Sequence, residues 1–241
     1  MTGTAFAWRT GRLARARRLT ATARSLTFEV PGWPGNDPGQ HVDIRLTAPD
    51  GYQAVRSYSL ASSGPGERIE LAVELLPDGE VSPFLVDDLE IGDEAELRGP
   101  LGRWFVWRPD PDRPVQLIAG GSGVVPLVAM IRAHEDARST APMQLLYSLR
   151  TPDDALYRDE LTGPSASTVT TWHYTRAAPD DWPGRPGRIT ADDLRLKTLP
   201  PGREPLIYVC GPTGFVEAVA RALTGLGHGP DGIRTERFGG I

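Results

Sequence analysis

A chain of 241 residues is longer than one typical domain needs and long enough for two that each bury a core. With 39% hydrophobic and 24% charged residues it has the composition of a soluble globular protein, and no apolar stretch approaches the roughly 20 residues of a membrane helix. A net charge of −5, one cysteine and four scattered histidines argue against an electrostatic grip on nucleic acid and exclude an internal disulfide, a cysteine-rich zinc site and four thiolates on an iron–sulfur cluster. His41, His134, His173 and His228 lack a metal-ligand spacing and read as structural or surface residues, so no metal is expected. Met1 to Trp8 carries no pattern of a secretion signal, and a cytoplasmic setting is expected.

Residues 1–107 show short alternating segments parted by Gly, Pro and Asp, the pattern of antiparallel strands in a barrel or sandwich. Arg9, Arg12, Arg15, Arg17 and Arg18 read as a solvated strand face. Lys197 is the one lysine among 26 basic residues, so a single arginine says little here. Val42, Ile44 and Leu46 alternate with His41, Asp43 and Arg45; Ile69, Leu71, Val73 and Leu75 alternate with Glu70, Ala72 and Glu74. One helix is expected in this half, over Ser82 to Leu89, with Ser82 as its cap and Pro83 in its first turn.

The extended Arg108 to Pro114 marks a boundary, after which the pattern changes. Val115 to Ala119 is a continuous apolar run of the kind buried on both faces, and a helix is expected over Val124 to Ala137. Further strands are expected at Met143 to Ser148, Thr168 to Tyr174 and Leu206 to Val209, with helices at Thr190 to Leu196 and Thr213 to Leu226. Asp192 and Asp193 after Thr190 resemble an N-terminal cap. The fold class is a β-barrel plus α/β: an antiparallel barrel over 1–107, then a parallel-sheet domain over 113–241.

Three features carry chemistry. Gly120-Gly121-Ser122-Gly123-Val124-Val125-Pro126 sits between the first buried strand and its helix, where glycines let backbone N–H groups and the helix N-terminus approach a pyrophosphate. Gly121 and Gly123 fit the dinucleotide fingerprint while Pro126 stands where its third glycine belongs, so a glycine-rich turn without ligand stays open; the hydrolase elbow around Ser122 fails because residue 124 is valine. The next strand ends in Ser148-Leu149-Arg150 with no acid for a ribose hydroxyl. A hydroxyl and a guanidinium suit a 2′-phosphate, favouring NADP over NAD, with Arg176 and Arg188 as additional contacts. Tyr208-Val209-Cys210-Gly211-Pro212-Thr213 is again a strand end opening into a helix, so the two loops can line one crevice.

Arg56-Ser57-Tyr58-Ser59-Leu60-Ala61-Ser62 resembles the flavin-binding motif of the ferredoxin–NADP reductase superfamily, and Gly120 to Pro126 and Cys210-Gly211-Pro212 resemble its two nucleotide motifs, in the same order. Pro38-Gly39-Gln40, Gly79-Glu80-Val81-Ser82, Gly99-Pro100-Leu101-Gly102 and Glu236-Arg237-Phe238-Gly239 extend the resemblance over nearly the whole chain.

The resemblance implies a stand-alone two-domain reductase carrying FAD and NADP or NAD. It implies that Arg56 meets the flavin pyrophosphate, that Tyr58 packs on the isoalloxazine and that Ser59 reaches its reactive edge, with backbone phosphate contacts around Val81 and Ser82. It puts Cys210 beside the nicotinamide, in a packing rather than a nucleophilic role, and Glu236 and Phe238 near the flavin, where Phe238 would act as a gate. Hydride would pass from NAD(P)H to FAD, and electrons onward to an external acceptor, since the chain has no room for a fused ferredoxin or globin domain. That acceptor is expected to be a ferredoxin or an oxygenase component; a free-flavin or small-molecule reductase and a non-catalytic flavoprotein subunit or redox sensor stay open. Ser62 and the helix at Ser82 favour FAD over FMN.

Overall fold

The period-2 segments of the first half form six strands whose apolar side chains meet in one core. The computed structural model describes residues 7–110, 112–163 and 168–239. The strands are β1 (Trp8–Thr20), β2 (Ala23–Glu29), β3 (His41–Thr47), β4 (Gln53–Ser59), β5 (Arg68–Glu74) and β6 (Glu94–Leu101), in the sheet order β4-β3-β6-β1-β2-β5 with every pairing antiparallel. Leu13, Leu26, Phe28, Val42, Ile44, Ile69, Leu71, Val73 and Leu97 are the buried centre. The outer strands are joined just beyond β4, where Leu60 bridges Leu71 and the Ala61 N–H donates to the Glu70 carbonyl at 2.7 Å. This closes the sheet into a barrel. Arg12, Arg15, Arg17 and Arg18 are exposed on β1 and Arg9 is half-buried, as a solvated strand face requires.

The expected helix does start at Ser82, but most of it is wound as a π-turn and its cap differs. A π-turn spans Phe84–Asp88 after Pro83, and the Ser82 hydroxyl does not cap it; it accepts from the Leu76 N–H at 3.0 Å and steadies the preceding loop instead. Sequence rules for caps do not register a competing backbone group six residues upstream. Val81, Leu85, Val86 and Leu89 still enter the barrel core, and at the other end of the turn the Arg24 guanidinium donates to the Leu89 carbonyl at 2.7 Å.

The second half is a parallel sheet of β7 (Val115–Gly120), β8 (Met143–Leu149), β9 (Val169–Tyr174), β10 (Leu206–Pro212) and β11 (Ile233–Phe238), in the order β11-β10-β7-β8-β9. Every residue of β7 is buried, as a central strand covered on both faces must be. The helices are α1 (Val124–Asp136), α2 (Arg158–Thr162), α3 (Ala191–Lys197) and α4 (Thr213–Gly225). Leu194 of α3 and Val216, Val219 and Leu223 of α4 pack with Ile118, Leu146, Ile207 and Val209 of the sheet. The buried amide side chain of Gln116 accepts the Leu199 N–H at 2.9 Å and donates to the Leu117 carbonyl at 3.1 Å, so its burial leaves neither end unsatisfied.

The chain divides into two units, residues 1–108 with 128–133, and residues 109–127 with 134–241. Among the described residues no helix is long and apolar enough to cross a membrane.

Candidate functional site

In the first unit β4 carries Arg56, Ser57, Tyr58 and Ser59. Tyr58 is half-buried against the barrel core, and burial pushes its phenol up to about 12, so it stays protonated. Ser59 is 5% exposed and its Oγ meets no partner among the described residues. Ser57 faces Asp43 on β3 and donates to its carboxylate at 2.6 Å; Arg98 bonds the other oxygen at 2.5 Å. Burial works to raise the Asp43 pKa, but these two partners hold it below the ordinary carboxylate value. Ser57 is thereby committed to the sheet.

Arg56 is half exposed and forms an ion pair with Glu80, whose other oxygen accepts the Tyr52 hydroxyl at 2.6 Å. Glu80 thus ties the loop bearing the buried Val81 and Ser82 to β4. Glu80 lies inside the Gly79 to Ser82 segment, so its position was legible while its pairing with Arg56 was not.

In the second unit parallel registration gathers the carboxyl ends of four strands. Gly120 of β7 is level with Ser148 of β8, Cys210 of β10 is level with Ala119 and Glu236, and Pro212 is level with Phe238. The strand order reverses between β7 and β10, and there the turn Gly121–Gly123 and the segment Cys210 to Pro212 lie side by side. Gly121 has φ +54° with open space where a Cβ would stand. A Cβ on Gly123 would collide with the Cys210 carbonyl, and one on Gly211 would fall 2.9 Å from the Gly120 oxygen, so both positions exclude a side chain. Pro126 occupies the first turn of α1, where a missing N–H leaves no bond unmade. Ser122 and Phe238 are half-buried.

Cys210 is buried, 4.0 Å from the Glu236 carboxylate; burial first and that carboxylate second push its thiol well above the ordinary value. It is a neutral thiol and a poor nucleophile.

Ser148 is buried and Arg150 exposed just beyond β8. The Arg150 carbonyl accepts the N–H groups of Arg176 and Ala177 at 2.9 and 3.2 Å, which brings these two arginines onto adjacent chain segments. Asp154 is turned inward by a capping box with Thr151, whose N–H and hydroxyl it accepts at 2.9 and 2.8 Å. Arg188 is exposed beside Gly187, whose carbonyl receives His173 at 2.9 Å.

His173 belongs to a cluster that spacing did not foretell. Its other ring nitrogen is 3.1 Å from Lys197 Nζ, which also bonds Asp193 at 2.7 Å, and Trp182 packs edge-on to His173 and Tyr174. Burial, opposed by the Gly187 bond, lowers the histidine pKa; Asp193, despite burial, is held at about 2 by Lys197 and Thr190. The sole lysine therefore fastens the segment between β9 and α3.

Residues 11–106 match the family model for an oxidoreductase FAD-binding domain, and residues 117–221 match that for an oxidoreductase NAD-binding domain. The chain is 30% identical over 200 residues to NADH-cytochrome b5 reductase 1 of Coccidioides immitis, covering 79% of this chain and 64% of that protein. It is 32% identical over 208 residues to the glycine betaine monooxygenase reductase subunit of Chromohalobacter salexigens, covering 84% and 56%. The chain thus spans less than two thirds of the length of these curated relatives. Among solved structures, the ferredoxin reductase in carbazole 1,9a-dioxygenase superposes with a TM-score of 0.83 at 28% identity, over 99% of this chain and 71% of that one. With two cofactor domains in this order on a barrel and a parallel sheet, the chain belongs to the ferredoxin reductase-like family of FAD- and NAD-binding oxidoreductases.

Proposed function

We propose that the protein is an FAD-dependent NAD(P)H oxidoreductase of the cytoplasm that delivers electrons to an external acceptor, a ferredoxin or an oxygenase component. The observation that carries this reading is the pair of glycine turns meeting where the strand order reverses, the position at which open parallel sheets take ligands. The names of the relatives, a cytochrome b5 reductase and a monooxygenase reductase subunit, support an acceptor on another protein.

The residues fit both cofactors. Residues 1–107 serve FAD and 113–241 serve the nucleotide. A buried Ser59 hydroxyl without a partner costs about 1–3 kcal/mol, which a polar edge of a ligand would relieve. Arg56 is placed at the surface for charge-assisted bonds to a pyrophosphate once Glu80 yields, Tyr58 offers a protonated aromatic face, and Val81 and Ser82 offer backbone. On the nucleotide side the backbone of Gly120 to Gly123 cradles phosphate, while Cys210, Gly211 and Pro212 border the nicotinamide without charge. Glu236 and Phe238 adjoin them, Phe238 as a gate. When bound, the flavin supplies two-electron acceptance from the nicotinamide and release of electrons to the acceptor. The exposed Arg150 and Arg176 and the absence of an acid at the end of β8 favour the 2′-phosphate of NADP.

Anaerobic titration with NADPH and then NADH tests the reading. Bleaching of the flavin absorbance, more readily by NADPH, is expected. A flavin-loaded protein that neither nucleotide bleaches would overturn it and leave a non-catalytic subunit.

A further inference from the structure

Phe215 stands in the first turn of α4, shortly after Pro212, and its ring is half-buried. A Cβ placed on Gly120 would meet three of its ring atoms at 2.7, 2.9 and 2.9 Å. A Cβ on Gly211 would meet the same ring at 3.1 Å and the Gly120 Cα at 3.1 Å. The ring therefore lies against the backbone of both glycines at once, at the point where β7 and β10 end. The two turns are already in backbone contact, and the ring backs both glycines from one side, filling the space that their missing side chains leave.

We propose that Phe215 is a positioning residue for the nicotinamide dinucleotide: its ring is the buttress that backs Gly120 and Gly211 where the two turns touch and keeps their backbones in the shape a dinucleotide needs. It touches neither cofactor phosphate nor reacting atoms in this role. The inference rests on the reading of these two turns as the nucleotide site.

The ring and the glycine opposite it are matched in size, so the two sites should couple, and nucleotide affinity that falls while the melting temperature holds separates a positioning role from simple loss of packing. Phe215→Ala, Phe215→Leu, Gly120→Ala and the double variant Gly120→Ala/Phe215→Ala are prepared with FAD bound. The dissociation constants for NADP+ and NAD+ are measured by calorimetry, with melting temperatures alongside. Phe215→Ala and Gly120→Ala are each expected to weaken nucleotide binding by about tenfold. The double variant is expected to bind within about threefold of Phe215→Ala, because the methyl added at position 120 enters space the ring has vacated; residues in contact couple in this way, distant ones add. Phe215→Leu, which keeps apolar volume, guards against a truncation that fails to fold, and is expected to bind several-fold more weakly than wild type with a melting temperature close to it.

Strict additivity of Gly120→Ala and Phe215→Ala, or folded Phe215 variants that bind nucleotide like wild type, would overturn the buttress role. Wild-type protein that binds neither nucleotide would instead overturn the site reading beneath it.

Discussion

Gly123 of one turn and Cys210 of the other are in backbone contact, so close that a single methyl on residue 123 would collide with the Cys210 carbonyl and stand 2.6 Å from the Gly211 nitrogen. Neither group belongs to a flexible side chain that could swing away. Gly123→Ala should therefore part the two strand ends, at a cost of about 1–3 kcal/mol in stability. Denaturant unfolding should show that loss, and nucleotide titration a weakening of more than tenfold, with flavin content retained. A variant with wild-type nucleotide affinity would show that the contact does not shape the site.

Ser59→Ala should behave in the opposite way. Its hydroxyl is buried without a partner among the described residues, so removing it from the flavin-free protein should raise stability, by up to about 1–3 kcal/mol. Flavin reduction by NADPH should slow by about tenfold, the worth of one hydrogen bond made to a reacting ring. Stopped-flow bleaching and thermal melts of the apo-protein read the two effects separately.

Arg150→Ala and Arg176→Ala should raise the dissociation constant for NADPH by about tenfold each and leave NADH within about twofold, since a guanidinium–phosphate bond is lost only with the phosphorylated nucleotide. Equal losses for both nucleotides would place these arginines elsewhere than at a 2′-phosphate.

The fastening of the segment before α3 has a pH signature. Asp193 has a folded value of about 2 against an ordinary 3.8, so its contribution is complete above about pH 4 and is lost as pH falls towards 2. His173 has a lowered value, so its neutral form stabilises the fold fully above its ordinary 6.5 and progressively less below it. Asp193→Asn should cost about 1 kcal/mol as a cap and pairing partner, lowering the melting temperature by about 2–4 °C at pH 7. That difference should shrink between about pH 4 and pH 2, where the wild-type carboxylate also becomes neutral. A gap unchanged down to pH 2 would show that the charge of Asp193 is not what holds Lys197.

Much of this was legible in local patterns. Strands such as β3 and β5 announced themselves by alternation, β7 by an unbroken apolar run, and α3 by Thr190 with Asp193 three residues on, which do form a capping box. The three motifs were contiguous, so a linear reading found them. What it missed depends on residues remote in sequence: Glu80 on Arg56 across 24 positions, Lys197 on His173 across 24, and the Ser82 hydroxyl drawn away from its expected cap by Leu76. Phe215 carries no motif at all; its place opposite Gly120 exists only once β7 and β10 are side by side.

The barrel seam has a consequence for folding and cofactor retention together. Along most of the sheet, neighbouring strands are laced over seven residues, as β3 is to β4 and β2 to β5. Where the cylinder closes, the join is short: the Leu60–Leu71 bridge, the Ala61 N–H on Glu70, and the Glu70 N–H on the Ser62 hydroxyl at 2.9 Å. A short join opens more often than a long one, so the amides of Ala61 and Glu70, which close it, should exchange with solvent ahead of those in mid-sheet. The strand leading into that join is the one bearing Arg56, Tyr58 and Ser59, so whatever lies along it also suppresses the opening. Slow amide exchange at the seam would then report cofactor occupancy without any optical signal from the flavin itself.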